Sequence, residues 1–221
     1  MVTSIQGKGT LSDHHPLALG SAELQFPPLR AFFDECDVVL AVGTSGSSVP
    51  EGAVCVQVDL APSPADPTAD GVQYICGDAS ECLSAIARQL TDLSSAPGRA
   101  ATRAATATAI HAINTERFGP TEQLQPQAGY MSAIRAALPD DAVVISGMNQ
   151  MGYYARSYCR CYKPRTLLTL TPHITLGAAY PYALGAKLGV DLIDPDAHTP
   201  VVAICGDGGF ICKYTRNPLL L

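Results

Sequence analysis

Two α/β units, each built on a parallel sheet, are what this 221-residue sequence predicts. Three observations carry that prediction. Short apolar runs of strand length recur along the chain, among them Cys36–Gly43, Ala53–Asp59, Ala142–Ser146 and Val201–Cys205. Helical stretches or long crossings separate them, which implies a parallel sheet. An Ala- and Thr-rich stretch carrying Pro97, Pro120 and Pro126 then divides the strands into two sets. The expected class is therefore α/β with two Rossmann-like units, over residues 1–93 and 128–221, joined by a linker at 94–127.

Composition narrows the function classes. Hydrophobic residues make up 47% of the chain and charged residues 15%, the balance of a globular protein. A formal net charge of −6 argues against a broad nucleic-acid or acidic-membrane face, because nothing offsets phosphate repulsion. No apolar run approaches the roughly 18 residues of a membrane span. Met1–Gly9 lacks the apolar centre of a signal peptide, so a cytoplasmic location is expected. Of the eight cysteines, Cys55, Cys76 and Cys205 lie in or beside strand-like runs and Cys82 in a predicted helix. Buried free thiols are expected rather than a disulfide framework. Cys159-Arg-Cys161 has no matching pair at metal-ligand spacing, which leaves zinc weakly supported.

In the first unit a polar, turn-rich segment runs through Gly20. Pro27-Pro28 should block a helix across that point and confine it to Leu29–Glu35. Cys36–Gly43 reads as a buried strand that ends in the small-residue loop Gly43–Ser48, whose spacing fails G-x-G-x-x-G. Residues 62–67 read as an irregular connection and Val72–Cys76 as a third strand. A helix over 79–93 would carry Leu83, Ile86, Ala87 and Leu90 on one face. Residues 99–118 read as a helix without a strong apolar stripe. The second unit then offers a helix at 130–138, with Tyr130, Ile134 and Leu138 at helical spacing. Strands at 142–146 and 166–170 follow, then a small-residue helix at 174–187 and the strand at 201–205.

Two loops at strand ends suggest chemistry. Gly147-Met-Asn-Gln-Met-Gly152 starts a helix, where backbone N–H groups can hold a phosphate and Asn149 or Gln150 could add donors. An ordinary strand-to-helix cap is the plainer alternative. Gly206-Asp-Gly-Gly209 is expected to turn sharply and leave one carboxylate at the strand's C-terminal edge, where open α/β sheets bind ligands. Asp207 could hold a hard cation such as Mg²⁺ while bare glycine backbone approaches phosphate oxygens. A solvated turn is the alternative there. Leu176 and Gly177 open the small-residue segment between the two loops.

Taken in order, these stretches resemble the thiamine-diphosphate-dependent enzymes of the acetolactate synthase and benzoylformate decarboxylase group. Gly7-Lys-Gly9 with His15-Pro-Leu17, Cys36–Gly43 and Val56–Asp59 resemble segments of the family's central domain. Gly147–Met151, Thr175–Gly177 through Pro181–Ala186, and Gly206–Phe210 resemble segments of its C-terminal, thiamine-diphosphate-binding domain. The resemblance implies that residues 1–93 and 128–221 are incomplete versions of those two domains. It implies Mg²⁺ on Asp207, with cofactor contacts from Gly147, Met148, Asn149, Gln150, Leu176, Gly177, Gly206, Gly208 and Gly209. Leu176 would be the apolar wedge that keeps the cofactor bent.

The implied substrate is a 2-keto acid, with the cofactor as electron sink for making or breaking the adjacent C–C bond. The implied parent enzyme is a homo-oligomer. No catalytic residue is assigned, because the family's activating glutamate would precede Met1, and a second metal ligand would lie beyond Leu221. FAD is not expected, since Gly43–Ser48 lacks the Arg-Phe-Asp pattern of flavin-binding members. The family's helix after Phe210 is expected to be replaced, and Thr215–Leu220 suggests a reading-frame slip. The overall expectation is a fragment of such an enzyme, inactive alone. The alternatives are a non-catalytic α/β module that binds nucleotide or a partner, or an unstable pseudogene product with an open sheet edge and an uncovered apolar face.

Overall fold

The computed structural model describes residues 1–21, 26–44, 49–61, 71–90, 98–119, 125–170 and 175–214. Its elements are α1 (Pro27–Asp34), β1 (Val38–Val42), β2 (Val54–Asp59), β3 (Val72–Cys76), α2 (Ala79–Leu90) and α3 (Arg99–Phe118). They are followed by α4 (Gln127–Ala137), β4 (Val143–Ser146), α5 (Gln150–Tyr158), β5 (Leu167–Thr169), α6 (Ala179–Ile193), β6 (Val201–Ile204) and α7 (Asp207–Tyr214). The chain divides into two compact units, residues 24–106 and residues 1–23 with 107–221. Each holds a three-stranded, all-parallel sheet, so the chain has two Rossmann-like α/β units.

In the unit of residues 24–106 the strand order is β1-β2-β3. Leu29, Ala41, Cys55 and Val58 are buried. The expected burial of the first strand is corrected on one face. Val38 is 57% exposed and Leu40 46%, and Val54, paired with Val38, is exposed as well. Side chains alternate along a strand, so one uncovered sheet face exposes every second residue while its neighbours stay covered. The stripe expected on α2 is likewise uncovered, with Leu83 and Leu90 exposed. Cys76, expected to be a buried thiol, is exposed at the end of β3. The helix at Pro27 also begins two residues earlier than expected, with proline at its first positions. The first N–H groups of a helix have no intrahelical partner, so proline loses nothing there. The expected connection at 62–67 and most of the small-residue loop at 43–48 lie outside the described residues.

In the other unit the order is β5-β4-β6, with β4 central and buried along its length. Period-2 alternation sends Val144 to one face and Val143 with Ile145 to the other. Val144 packs with Met131 of α4 and Ala155 of α5, whereas Val143 and Ile145 pack with Ala179 of α6. Ile134 of α4 and Leu138 just past its end pack inward as expected, but the third member of the stripe is buried Met131 rather than Tyr130, which is exposed. Small residues bring α6 close: Ala179, Ala183, Ala186 and Val190 lie against the sheet. Its outer side exposes Leu184, Leu188 and Leu192. The helix expected at 174–187 is α6 at 179–193, with Leu176 and Gly177 in a turn before it. Pro181 falls in the first turn, where no donor is lost.

The N-terminal segment belongs to this second unit, although it precedes the other sheet in sequence. Buried Arg117, near the end of α3, explains it. Its Nη1 donates to the carbonyls of Leu19 (3.0 Å) and Ser21 (2.9 Å), and its Nη2 to Ser21 Oγ (3.1 Å) and the Ser157 carbonyl (2.9 Å). Asp13 closes a second clasp, because its N–H donates to the Cys161 carbonyl while its carboxylate accepts from the Cys161 N–H. Lys8 is buried beside them, its Nζ 3.4 Å from the Ser157 carbonyl. No helix among the described residues is long and apolar enough to cross a membrane.

Candidate functional site

The order β5-β4-β6 means that the chain leaves β4 to one side and returns to the other. The carboxyl ends of β4 and β6, where the winding reverses, frame the crevice in which open α/β sheets bind ligands. Register places Ser146 beside Ile204, so Gly147 and Cys205 leave neighbouring strands side by side. The loops after them are tied together: Gly147 N–H donates to the Ile204 carbonyl at 3.0 Å, and Asn149 Nδ2 to the same oxygen at 2.9 Å.

Six of the residues predicted from sequence, Gly147, Met148, Leu176, Gly177, Gly206 and Gly209, line one small crevice there, joined by Ala179 and Cys205. Gly147 is sterically required, because a Cβ there would stand 2.5 Å from the Ile204 carbonyl oxygen. A Cβ on Gly206 would be a tight 3.2 Å from Asn149 Cβ, whereas one on Gly209 would make only ordinary contact, 3.7 Å from the Gly177 nitrogen. Gly177 has φ +78, a left-handed conformation that side chains disfavour. Leu176 beside it is 59% exposed and forms an apolar wall. Burial holds the Cys205 thiol above its ordinary range, so it stays neutral.

The expected sharp turn at 206–209 is corrected. Asp207 starts α7, and the helix continues through Tyr214, so residues 211–214 are helical, while the rest of the stretch expected to replace the family's helix lies outside the described residues. The first bond of that helix runs from Phe210 N–H to the Gly206 carbonyl. The N–H groups of Asp207, Gly208 and Gly209 therefore precede the helical ladder and, with the helix dipole, favour an anion. Asp207 and Gly208 are exposed on that first turn, beside Gly206. The suspected reading-frame slip from Thr215 lies outside the described residues.

Asn149 is committed elsewhere. Its Oδ1 accepts from Gly152 N–H at 2.9 Å, making it the N-cap of α5, while its Nδ2 holds the Ile204 carbonyl. The plainer strand-to-helix cap is thus realised, and Asn149 fixes the loop instead of offering free donors. Gln150 is exposed on the first turn of α5. Gly152 also matters to the loop, because a Cβ there would collide with the Gly147 carbonyl oxygen. The spacing Gly147–Gly152 was its only visible signal. Ser146, whose Oγ donates to the Gly152 carbonyl at 2.7 Å, and Arg156, whose Nη2 reaches Met148 Sδ, also brace this loop unannounced.

Two helix starts beside glycine-lined backbone, with one exposed carboxylate, suit a diphosphate neutralised by a hard divalent cation. Mg²⁺ takes one or two carboxylates and completes its shell with phosphate and water oxygens. Among the described residues no group of three or more His, Cys, Asp or Glu side chains could enclose a metal, so a transition-metal cage is not what this donor set offers. The class defined by fold and site is a parallel-sheet protein with a small glycine-lined crevice at its switch point.

Comparison with known proteins makes the class specific. The model for the central domain of thiamine pyrophosphate enzymes matches residues 1–86, and that for their C-terminal TPP binding domain matches residues 146–215. The probable 2-ketoarginine decarboxylase AruI of Pseudomonas aeruginosa is 32% identical over 230 residues, covering 99% of this chain and 38% of that protein. A probable acetolactate synthase large subunit of Methanococcus aeolicus is 24% identical, covering 95% and 37%. The sulfoacetaldehyde acetyltransferase of Castellaniella defragrans is 24% identical, covering 89% and 37%. The chain belongs to the thiamine pyrophosphate enzyme family. It spans less than two-fifths of the length of these relatives.

Proposed function

We propose that the crevice between the ends of β4 and β6 holds the diphosphate of thiamine diphosphate through Mg²⁺ on Asp207. The enzyme it serves would make or break a C–C bond next to the carbonyl of a 2-keto acid. When bound, the cofactor supplies the electron sink for that chemistry. The chain's own residues bind and orient. Gly208 and Gly209 donate N–H groups from the first turn of α7, and Gly147 and Gly206 let backbone close on the phosphates. Leu176 walls the cofactor on its apolar side, and Asn149 positions the loop. The parent enzyme is a homo-oligomer in this reading.

One observation carries it: β4 and β6 are hydrogen-bonded neighbours, so two glycine loops and the first turn of α7 share one edge. Calorimetry on the purified chain tests it. Thiamine diphosphate should bind only with Mg²⁺, and Asp207→Ala should weaken binding at least about tenfold, or about 1.4 kcal/mol. Binding of NAD or ADP without Mg²⁺, and no binding of thiamine diphosphate, would favour a non-catalytic nucleotide module. These 221 residues alone should release no CO₂ from pyruvate or benzoylformate, a reading supported by the more than twofold greater length of the relatives.

A further inference from the structure

A second cavity, of about 360 Å³, lies between α4 and the C-terminal part of α5. That volume is within the range of small-molecule sites. Its walls are the rings of Phe118, Tyr154, Tyr158 and Tyr162, with the guanidinium groups of Arg135 and Arg160 among them. Tyr154 and Tyr158 are stacked, centroids 4.4 Å apart, and Phe118 meets Tyr158 edge-on. Arg160 lies over the Phe118 ring at 4.6 Å and Arg135 over the Tyr162 ring at 5.2 Å. No carboxylate is among the described lining residues, and neither arginine makes a salt bridge with a described residue. In a chain of net charge −6, this is a local concentration of positive charge that no described carboxylate pairs.

Arg135 adds an independent observation. It is only 8% exposed, and its Nη2 donates to the carbonyls of Leu138 and Pro139, yet its Nε has no hydrogen-bond partner among the described residues. A buried guanidinium without a counter-charge is costly, and an anion in the cleft would relieve it. Arginine forks match carboxylate or phosphate, and their flat faces stack on rings. Aromatic walls in turn favour a planar group over an aliphatic one. Burial and the neighbouring Tyr158 hold the Tyr154 hydroxyl above its ordinary range, so it remains a neutral donor at physiological pH.

The geometry points to a binding site for a planar aromatic anion, a ring bearing a carboxylate or a phosphate, in the cleft between α4 and α5. This site is separate from the diphosphate crevice. Asn149 caps α5 at that crevice and Tyr158 ends the helix at this one, which at 1.5 Å per residue separates them by about 13 Å. A ligand here would brace α4 against α5 and, through α5, the loop that Asn149 and Gly152 hold. The site would thus be regulatory rather than catalytic.

Tyrosine fluorescence and calorimetry on the full 221-residue chain test the proposal, with phenyl phosphate, benzoate and AMP as probes. Saturable binding is expected for at least one of them, whereas inorganic phosphate and benzyl alcohol should each bind at least about tenfold more weakly. Benzoate and phenyl phosphate distinguish carboxylate from phosphate, and AMP tests whether a nucleotide fits. Arg160→Gln, at a half-exposed position, should weaken binding about tenfold and Arg160→Lys less. Ser132→Phe, on the exposed side of α4, should fill the cleft and abolish binding with unchanged circular dichroism. Saturation with Mg²⁺ and thiamine diphosphate should not displace the probe, nor should Asp207→Ala weaken it. Displacement by the cofactor would place the probe in the other crevice and overturn the proposal. So would the absence of saturable binding by all three probes, or binding indifferent to both Arg160→Gln and Ser132→Phe.

Discussion

Replacing Gly152 by alanine isolates the one backbone approach on which the β4–α5 loop depends. In an ordinary helix, glycine to alanine gains about 1 kcal/mol, because alanine loses less backbone entropy. Here the added Cβ would collide with the Gly147 carbonyl oxygen and stand 2.9 Å from its carbon. Gly147 cannot easily yield, since its N–H is bonded to the Ile204 carbonyl at 3.0 Å. Overpacking of this kind costs about 1–3 kcal/mol, and displacing the Asn149 cap costs about 1 kcal/mol more. Set against the helix gain, the net expectation is a loss of about 2 kcal/mol, or a fall in Tm of about 4–8 °C for a chain of this size.

Gly185→Ala is the matched control. It lies inside α6, a Cβ there would meet nothing within 4 Å, and alanine should stabilise by about 0.5–1 kcal/mol. Urea unfolding followed by circular dichroism compares the two variants. A Gly152→Ala chain as stable as the parent, or the opposite ranking of the two variants, would rule out the close backbone approach. The same substitution should also weaken Mg²⁺-dependent binding of thiamine diphosphate at temperatures where the variant is folded, because the Gly147 loop must move.

Other expectations follow from the N-terminal clasp. Arg117→Gln removes charge-assisted bonds to Leu19, Ser21 and Ser157 and should cost about 3 kcal/mol. Amide exchange should speed up at Thr3 and Leu19, whose N–H groups are bonded to Gly20 and Met1; unchanged exchange there would contradict the clasp. Burial, opposed by Cys161, Asp13 and Cys159, holds the Lys8 ammonium below its ordinary 10.5. Between the folded and the ordinary value the unfolded chain binds more protons, so this group's contribution to stability rises with pH. Lys8→Met should therefore stabilise near pH 7, with a gain that shrinks as pH approaches 10.5. Unfolding free energies of both chains at neutral and alkaline pH check this; a gain independent of pH would rule out the buried charge as its source.

Much of the second unit was legible because its signals are local. Apolar runs between glycine punctuation marked β4 and β6, and Asn149 before Gln150 has the form of a helix start. Burial was less legible. Val38 and Leu40 read as core residues, but whether a sheet face is covered depends on elements distant in sequence. At the start of α4, Tyr130 and Met131 are both apolar, and only packing shows that Met131 joins Ile134 and Leu138 on the buried side. The turn at Gly206–Gly209 was overread for a similar reason. Glycine permits a sharp turn without requiring one, and the Phe210 bond to Gly206 draws the same residues into a helix.

The alternation of strands and helices, the glycine loops after β4 and β6, and the lone carboxylate at Asp207 are all readable from local sequence. These follow from periodicity and backbone permission, which need no information beyond a few neighbouring residues. Tertiary structure alone decided that β4 and β6 are neighbours, so that loops almost sixty residues apart meet in one crevice. It also decided that Arg117 draws the N-terminal segment onto the second unit, and that rings and guanidiniums from α3, α4 and α5 enclose a further cavity. Each of those outcomes rests on contacts between distant residues, and such contacts are fixed by which burial and hydrogen bonding can be satisfied together rather than by any local pattern.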